Sequence, residues 1–119
     1  MTAKVIYQGQ LRTQMTHLQS GEIVITDAPK DNHGKGEAFS PTDIVATALG
    51  SCMLSIMGIY AQQHGLDIEG TQVHITKHMA SAPRRISKIE AKVLMPDGHF
   101  YTEKDKKALE KELRAQVQK

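Results

Sequence analysis

The chain of 119 residues contains no tryptophan, two phenylalanines and three tyrosines. Such an aromatic shortage excludes a nucleic-acid surface built on base stacking, which needs successive flat side chains. Cysteine is scarcer still: Cys52 stands alone, so the chain can form no internal disulfide and offers no cysteine cluster for structural zinc. Charge of one sign is lacking as well. The formal net charge is +2, with basic residues scattered among acidic ones, which does not suit nucleic acid or an acidic membrane surface. The opening Met1-Thr2-Ala3-Lys4 leads directly into an alternating segment, without the apolar stretch of a secretory signal. The expectation is a cytoplasmic protein in a reducing compartment.

What is present suits a single soluble domain over residues 1–119, with 39% apolar and 24% charged residues. The uncharged run Ile44–Ala61 approaches the length of a membrane span. Thr47, Gly50, Ser51, Ser55 and Gly58 dilute its hydrophobicity and basic anchors are missing from its ends, so it reads as a buried central helix, with no membrane partner. Ser40 is placed to cap it, Pro41 to occupy its first position and Asp43 its third, and Gly65 to end it. A helix apolar on nearly all sides needs cover from several directions. One small sheet supplies part of that. A second copy of the chain is expected to supply the rest, with Gly50, Ser51, Ser55 and Gly58 allowing close helix contact.

Before the helix, "KVIYQGQLRTQMTHLQSGEIVITDAP" reads as a three-strand meander, with Leu11–Leu18 as its middle strand. Residues 28–39 form a polar, glycine-rich loop. After it, "TQVHITKHMA" and "RISKIEAKVLMP" form a hairpin across "SAPRR", with Ile89, Ala91, Val93 and Met95 on one face and Lys88, Glu90 and Lys92 on the other. A last helix is expected with Thr102 as N-cap and a thin stripe of Leu109, Leu113 and Val117. The fold class is α+β: meander, long helix, hairpin, helix.

The residues alone leave the chemistry open. Cys52 shares a helix face with Val45, Ala48, Leu49, Ile56 and Ile59, a spacing that favours burial as a small hydrophobe. A reactive thiol needs a cation or donor beside it. Arg12, in an otherwise uncharged strand, is the candidate. Asp43 stands nine residues before Cys52, about 13.5 Å along the axis and on the opposite side, so it cannot touch that thiol within one helix. His74 and His78 share a strand face at about 13 Å, too far to hold one metal ion. "HGKGE" lacks the ending of a phosphate loop, and no local signature supports a cysteine hydrolase. No metal and no cofactor is implied.

At "SPTDIVATALGSCM", following "DNHGKGEAF" and "LRTQMTHLQSG", the chain resembles the OsmC/Ohr family of thiol-dependent hydroperoxide reductases. The likeness runs on through "HGLDIEG" and "TKHMASAPRRISKIE" and covers nearly the whole length, closer to the general OsmC-like members than to the dedicated organic-hydroperoxide enzymes. It implies an intertwined homodimer with the two long helices at its centre. It also implies that Cys52 is the peroxidatic cysteine and that Arg12 stabilises the thiolate and orients a hydroperoxide substrate. The column of the family's helix-start carboxylate falls on Thr42, with Asp43 adjacent as the substitute that would support Arg12. The family's second cysteine has Gln116 near its column, and the C-terminal part of the family's domain is expected to be missing. Turnover would then use an external thiol reductant or a Cys52 link between subunits. Two functions follow from the likeness: a single-cysteine peroxidase, or a catalytically degenerate dimer that binds a small apolar ligand or serves a structural role.

Overall fold

A computed structural model describes residues 1–96 and Lys111, and these form part of two compact units, Met1–Val45 and Ala46–Lys119. The last helix expected from sequence lies outside the described residues.

The first unit carries the expected meander. Strands β1 (Ala3–Gly9), β2 (Arg12–His17) and β3 (Ile23–Asp27) pair antiparallel in that order. Leu11 does not open the middle strand, because Gln10 and Leu11 form the two-residue turn, with φ of 56° and 64°. Positive φ at both central positions is the geometry whose twist suits a tight hairpin. The second hairpin closes His17 onto Glu22 (His17 N–H to Glu22 O, 2.9 Å), which sets Arg12 directly opposite Asp27. By this register Val5, Tyr7, Thr13, Met15, Val24 and Thr26 share one face, and Ile6, Arg12, Gln14, Ile23, Ile25 and Asp27 the other. Both faces expose large apolar side chains, Val5, Tyr7 and Val24 on one and Ile6, Ile23 and Ile25 on the other.

The glycine-rich segment after β3 makes one 3-10 turn, Lys30–Asn32, and returns to where it began. Asp27 N–H donates to Phe39 O at 3.0 Å, Gly36 N–H to Ala28 O at 3.2 Å and Gly34 N–H to Pro29 O at 2.9 Å. The backbone approach at Gly34 is so close that an added Cβ would stand 1.7 Å from Ala28 O.

Helix α1 (Pro41–Gln63) begins as its local sequence dictates. Ser40 Oγ accepts from Asp43 N–H at 3.1 Å, and Asp43 Oδ2 accepts from Ser40 N–H at 3.0 Å, a reciprocal cap. Ser40 is buried, so losing its hydroxyl would leave the Asp43 amide without that acceptor. Ser40→Ala is therefore expected to lower stability by about 1 kcal/mol, read as a lower urea midpoint with an unchanged slope. At the other end Gly65 takes φ 65°, and Leu66 N–H reaches back to Ala61 O at 2.9 Å, a Schellman stop.

In the second unit, β4 (Gln72–Ala80) and β5 (Arg85–Leu94) form the expected antiparallel hairpin. Val73, Ile75, Lys77 and Met79 of β4 lie opposite Val93, Ala91, Ile89 and Ile86 of β5. Ile86 joins this face because Ser87 and Lys88 share one position in a bulge opposite His78, a phase change that simple alternation misses. The core centres on Ile56 and Met57 of α1, packed by Leu54, Tyr60, Ile68 and Met95. Gly50 is buried under β4: a Cβ there would meet Ile75 Cδ1 at 3.0 Å and Val73 Cγ1 at 3.3 Å. Its smallness thus serves packing inside one chain, where the sequence reading assigned it to contact between helices of two chains.

Candidate functional site

Cys52 lies in the middle of α1 and is exposed. This corrects the burial expected from its spacing. Of the residues named on its face, Val45, Ala48 and Ile59 are exposed, Leu49 is half-buried and Ile56 alone is buried. The helix buries Ala46, Gly50, Ile56, Met57 and Ala61, with Gly50 against Val73 and Ile75 of β4, and leaves the thiol of Cys52 exposed. By length and composition α1 is apolar enough to cross a membrane. A third of its most apolar window, 33%, is buried inside the protein.

Arg12, at the start of β2, is held by two carboxylates that the sequence reading did not associate with it. Its Nη2 donates to Asp27 Oδ2 at 3.4 Å and also to Glu37 Oε2. Asp27 Oδ2 accepts in addition from the Glu37 backbone N–H at 3.1 Å, so one oxygen anchors both the guanidinium and the loop. Exposure separates the two acids: the Asp27 side chain is 0% exposed, Glu37 59% and Arg12 31%. Asp27 Oδ1 is buried and makes no hydrogen bond among the described residues. An ionised carboxylate out of water costs several kcal/mol unless it is paired, so the Asp27 charge is compensated from one side, by Arg12. On the opposite face of the sheet, the Thr13 and Thr26 hydroxyls hydrogen-bond to each other across the strands.

Asp43 and Thr42, expected to support Arg12, are drawn into the start of α1. Asp43 closes the cap on Ser40, and Thr42 Oγ1 lies 3.2 Å from Ser40 Oγ. The signal that could have found Asp27 was the hairpin register, since a turn closing His17 onto Glu22 fixes Asp27 as the β3 partner of Arg12. Glu37 comes from the loop, and no local pattern points to it.

His78 Nε2 lies 3.1 Å from Glu90 Oε1 on the polar face of the hairpin, where Lys88 Nζ also reaches that oxygen at 3.0 Å. The hydrogen bond from Lys88, then its charge, and then His78 hold the Glu90 carboxyl below its ordinary range. Among the described residues no three His, Cys, Asp or Glu side chains gather in a way that could hold a metal ion. A groove of about 450 Å³ runs between α1 and β4, lined by Thr47, Gly50, Ser51, Leu54, Ser55, Val73 and Ile75.

The family model for OsmC-like proteins matches residues 34–115, a stretch that holds the helix cap, Cys52 and the hairpin. The chain belongs to the OsmC-like family. Its fold agrees with a crystal structure of an osmotic stress induced and detoxification response protein from Psychrobacter arcticus. That protein is 49% identical, with a TM-score of 0.89 over 95% of this chain and 81% of that one. Two more distant structures share the fold alone. An OsmC-like protein from Vibrio cholerae is 14% identical, with a TM-score of 0.65 over 95% of this chain and 84% of that one. The organic hydroperoxide resistance protein OsmC from Legionella pneumophila is 16% identical, with a TM-score of 0.62 over 95% and 80%. No curated protein matches the chain.

Proposed function

We propose that this OsmC-like protein reduces organic hydroperoxides with Cys52 as its sole redox centre, acting as a homodimer in the reducing cytoplasm. The observation that carries the reading is the exposure of Cys52 on a helix whose spacing would otherwise hide it. A nucleophile must be reachable, and the exposed Cys52 meets that requirement. The Cys52 thiolate attacks the terminal oxygen of the hydroperoxide. The O–O bond breaks, sulfur is oxidised to sulfenic acid, and the alkoxide leaves and takes up a proton to become the alcohol. Arg12 is the guanidinium that would bind the peroxide and stabilise the departing oxygen, supplied across the dimer. One external thiol then condenses with the sulfenic acid, releasing water and leaving a mixed disulfide. A second thiol releases Cys52.

Stopped-flow oxidation of the reduced protein by cumene hydroperoxide, with sulfenic acid located by mass spectrometry, tests this. Cys52 is expected to react at least about 100-fold faster than a free peptide thiol, and Arg12→Ala to lose about tenfold or more of that rate, the loss typical of removing one charge-stabilising donor. Oxidation at the peptide rate would overturn the reading.

A second reading is supported by the groove between α1 and β4: a degenerate dimer that binds a small apolar ligand there. Slow oxidation of Cys52, together with saturable binding of a small apolar probe lost in Gly50→Val, would favour it.

A further inference from the structure

The two acids on Arg12 differ in every respect that matters to its use. Asp27 lies on a strand, is fully buried, and faces Arg12 directly across the β2–β3 ladder. Its Oδ2 accepts from Arg12 and from the Glu37 amide, while its Oδ1 makes no hydrogen bond among the described residues. Arg12 is the only one of these two donors that carries charge. Glu37 lies on the loop between β3 and α1, its side chain mostly exposed, and takes the same Nη2 of Arg12. An exposed ion pair is weak and exchanges readily with water, whereas a buried charge cannot give up its counterion without a large desolvation penalty.

From this we infer that the two carboxylates act on Arg12 in opposite senses: Asp27 is the positioning residue that fixes the guanidinium, and Glu37 is a competing anion that restrains it. The inference rests on the reading of Arg12 as the cation that serves Cys52 and assigns the regulation of that same site. Asp27 holds the guanidinium in one place through the ladder register. Glu37 occupies the Nη2 hydrogen that a peroxide oxygen would use, and it must yield for the arginine to work. Simple electrostatics makes the contrary prediction for Asp27. Removing either negative charge would leave Arg12 more strongly cationic toward an incoming anion, and both neutral variants would then react faster.

The experiment measures the rate of Cys52 oxidation by cumene hydroperoxide, divided by its rate of alkylation by iodoacetamide, in wild type, Asp27→Asn, Glu37→Gln and Arg12→Ala. The ratio isolates help given to O–O cleavage, because a change in thiol accessibility or in stability alters both rates together. Asp27→Asn is expected to lower the ratio about tenfold or more, as misplacement of a catalytic group does. Glu37→Gln is expected to raise it about two- to fivefold, the weight of one exposed ion pair. The double variant Arg12→Ala with Asp27→Asn should match Arg12→Ala alone, since Asp27 acts only through the arginine. An unchanged or raised ratio in Asp27→Asn overturns the inference, as does an unchanged or lowered ratio in Glu37→Gln. If Asp27→Asn does not fold, Glu37→Gln decides the matter alone, because its exposed side chain can be exchanged without loss of packing. If Arg12→Ala keeps the wild-type ratio, the reading of Arg12 itself fails. A low ratio in Arg12→Ala with a normal one in Asp27→Asn leaves that reading intact and removes only Asp27 from it.

Discussion

Cys52→Ser is expected to abolish peroxide consumption while changing stability by less than about 0.5 kcal/mol, the range of an uncompromising surface substitution. The two halves of this expectation have separate causes. Sulfur passes from thiolate to sulfenic acid and back through a disulfide, whereas a serine oxygen has no corresponding oxidised state that a thiol can reduce. No other residue can inherit the role, because the chain has one cysteine. Its six methionines can consume peroxide only stoichiometrically, since methionine sulfoxide is not returned by simple thiols. Stability is spared because Cys52 is exposed and exchange of sulfur for oxygen leaves no cavity. The measurement follows cumene hydroperoxide loss with a small dithiol as reductant, alongside urea unfolding of both proteins. Without reductant, wild type should consume one equivalent per chain before stalling. Full activity in the serine variant would remove the peroxidase reading altogether.

What was legible in the sequence, and what was not, divides along the range of the forces involved. The cap at Ser40 and Asp43 and the stop at Gly65 were legible because each is closed by residues within one turn of its partner. The meander and the hairpin were legible from alternation and turn residues. Two errors share one cause, that a local pattern does not specify its partner surface. Spacing placed Cys52 among apolar neighbours and so predicted burial, yet an apolar stripe records only that cover is wanted. In this chain β4 covers Gly50, while Val45 and Cys52 stay exposed. For the same reason Gly50, read as a place for another helix, proved to be a place for Ile75 and Val73. At Arg12 the miss was one of register. Asp27, just before Ala28-Pro29, looks like a turn aspartate at the end of a strand, and only the closing pair His17 and Glu22 shows that it stands opposite the arginine. Glu37 reaches Arg12 from 25 residues away, through a loop whose path depends on its own backbone contacts.

That path makes Gly34→Ala the most damaging single substitution expected among the glycines. The added Cβ would lie 1.7 Å from Ala28 O, 2.2 Å from Ala28 C and 2.6 Å from Ala28 Cβ, contacts no side-chain rotation can relieve because two of the three atoms are backbone. Gly50 is the instructive contrast, since its would-be Cβ meets only the ends of Ile75 and Val73 at 3.0 Å or more, which can shift. For Gly34 the loop itself must open. Opening it strains the bonds from Gly34 N–H to Pro29 O and from Gly36 N–H to Ala28 O, and with them the placement of Glu37 against Asp27 and Arg12. A loss of about 3 kcal/mol or more is expected, near the upper end for single substitutions. Urea unfolding measures that loss, and limited trypsin digestion locates it, because Lys30 and Lys35 lie in the same loop and are exposed. The substitution should speed cleavage at these two lysines well before it affects cleavage at Lys88 or Lys92 on β5. It should also weaken the hold on Arg12 in the same protein, so that the ratio of peroxide oxidation to alkylation at Cys52 departs from wild type. Unchanged stability and unchanged cleavage at Lys30 and Lys35 would show that the loop does not take the close path by Ala28. The Arg12, Asp27 and Glu37 cluster would then need a different support.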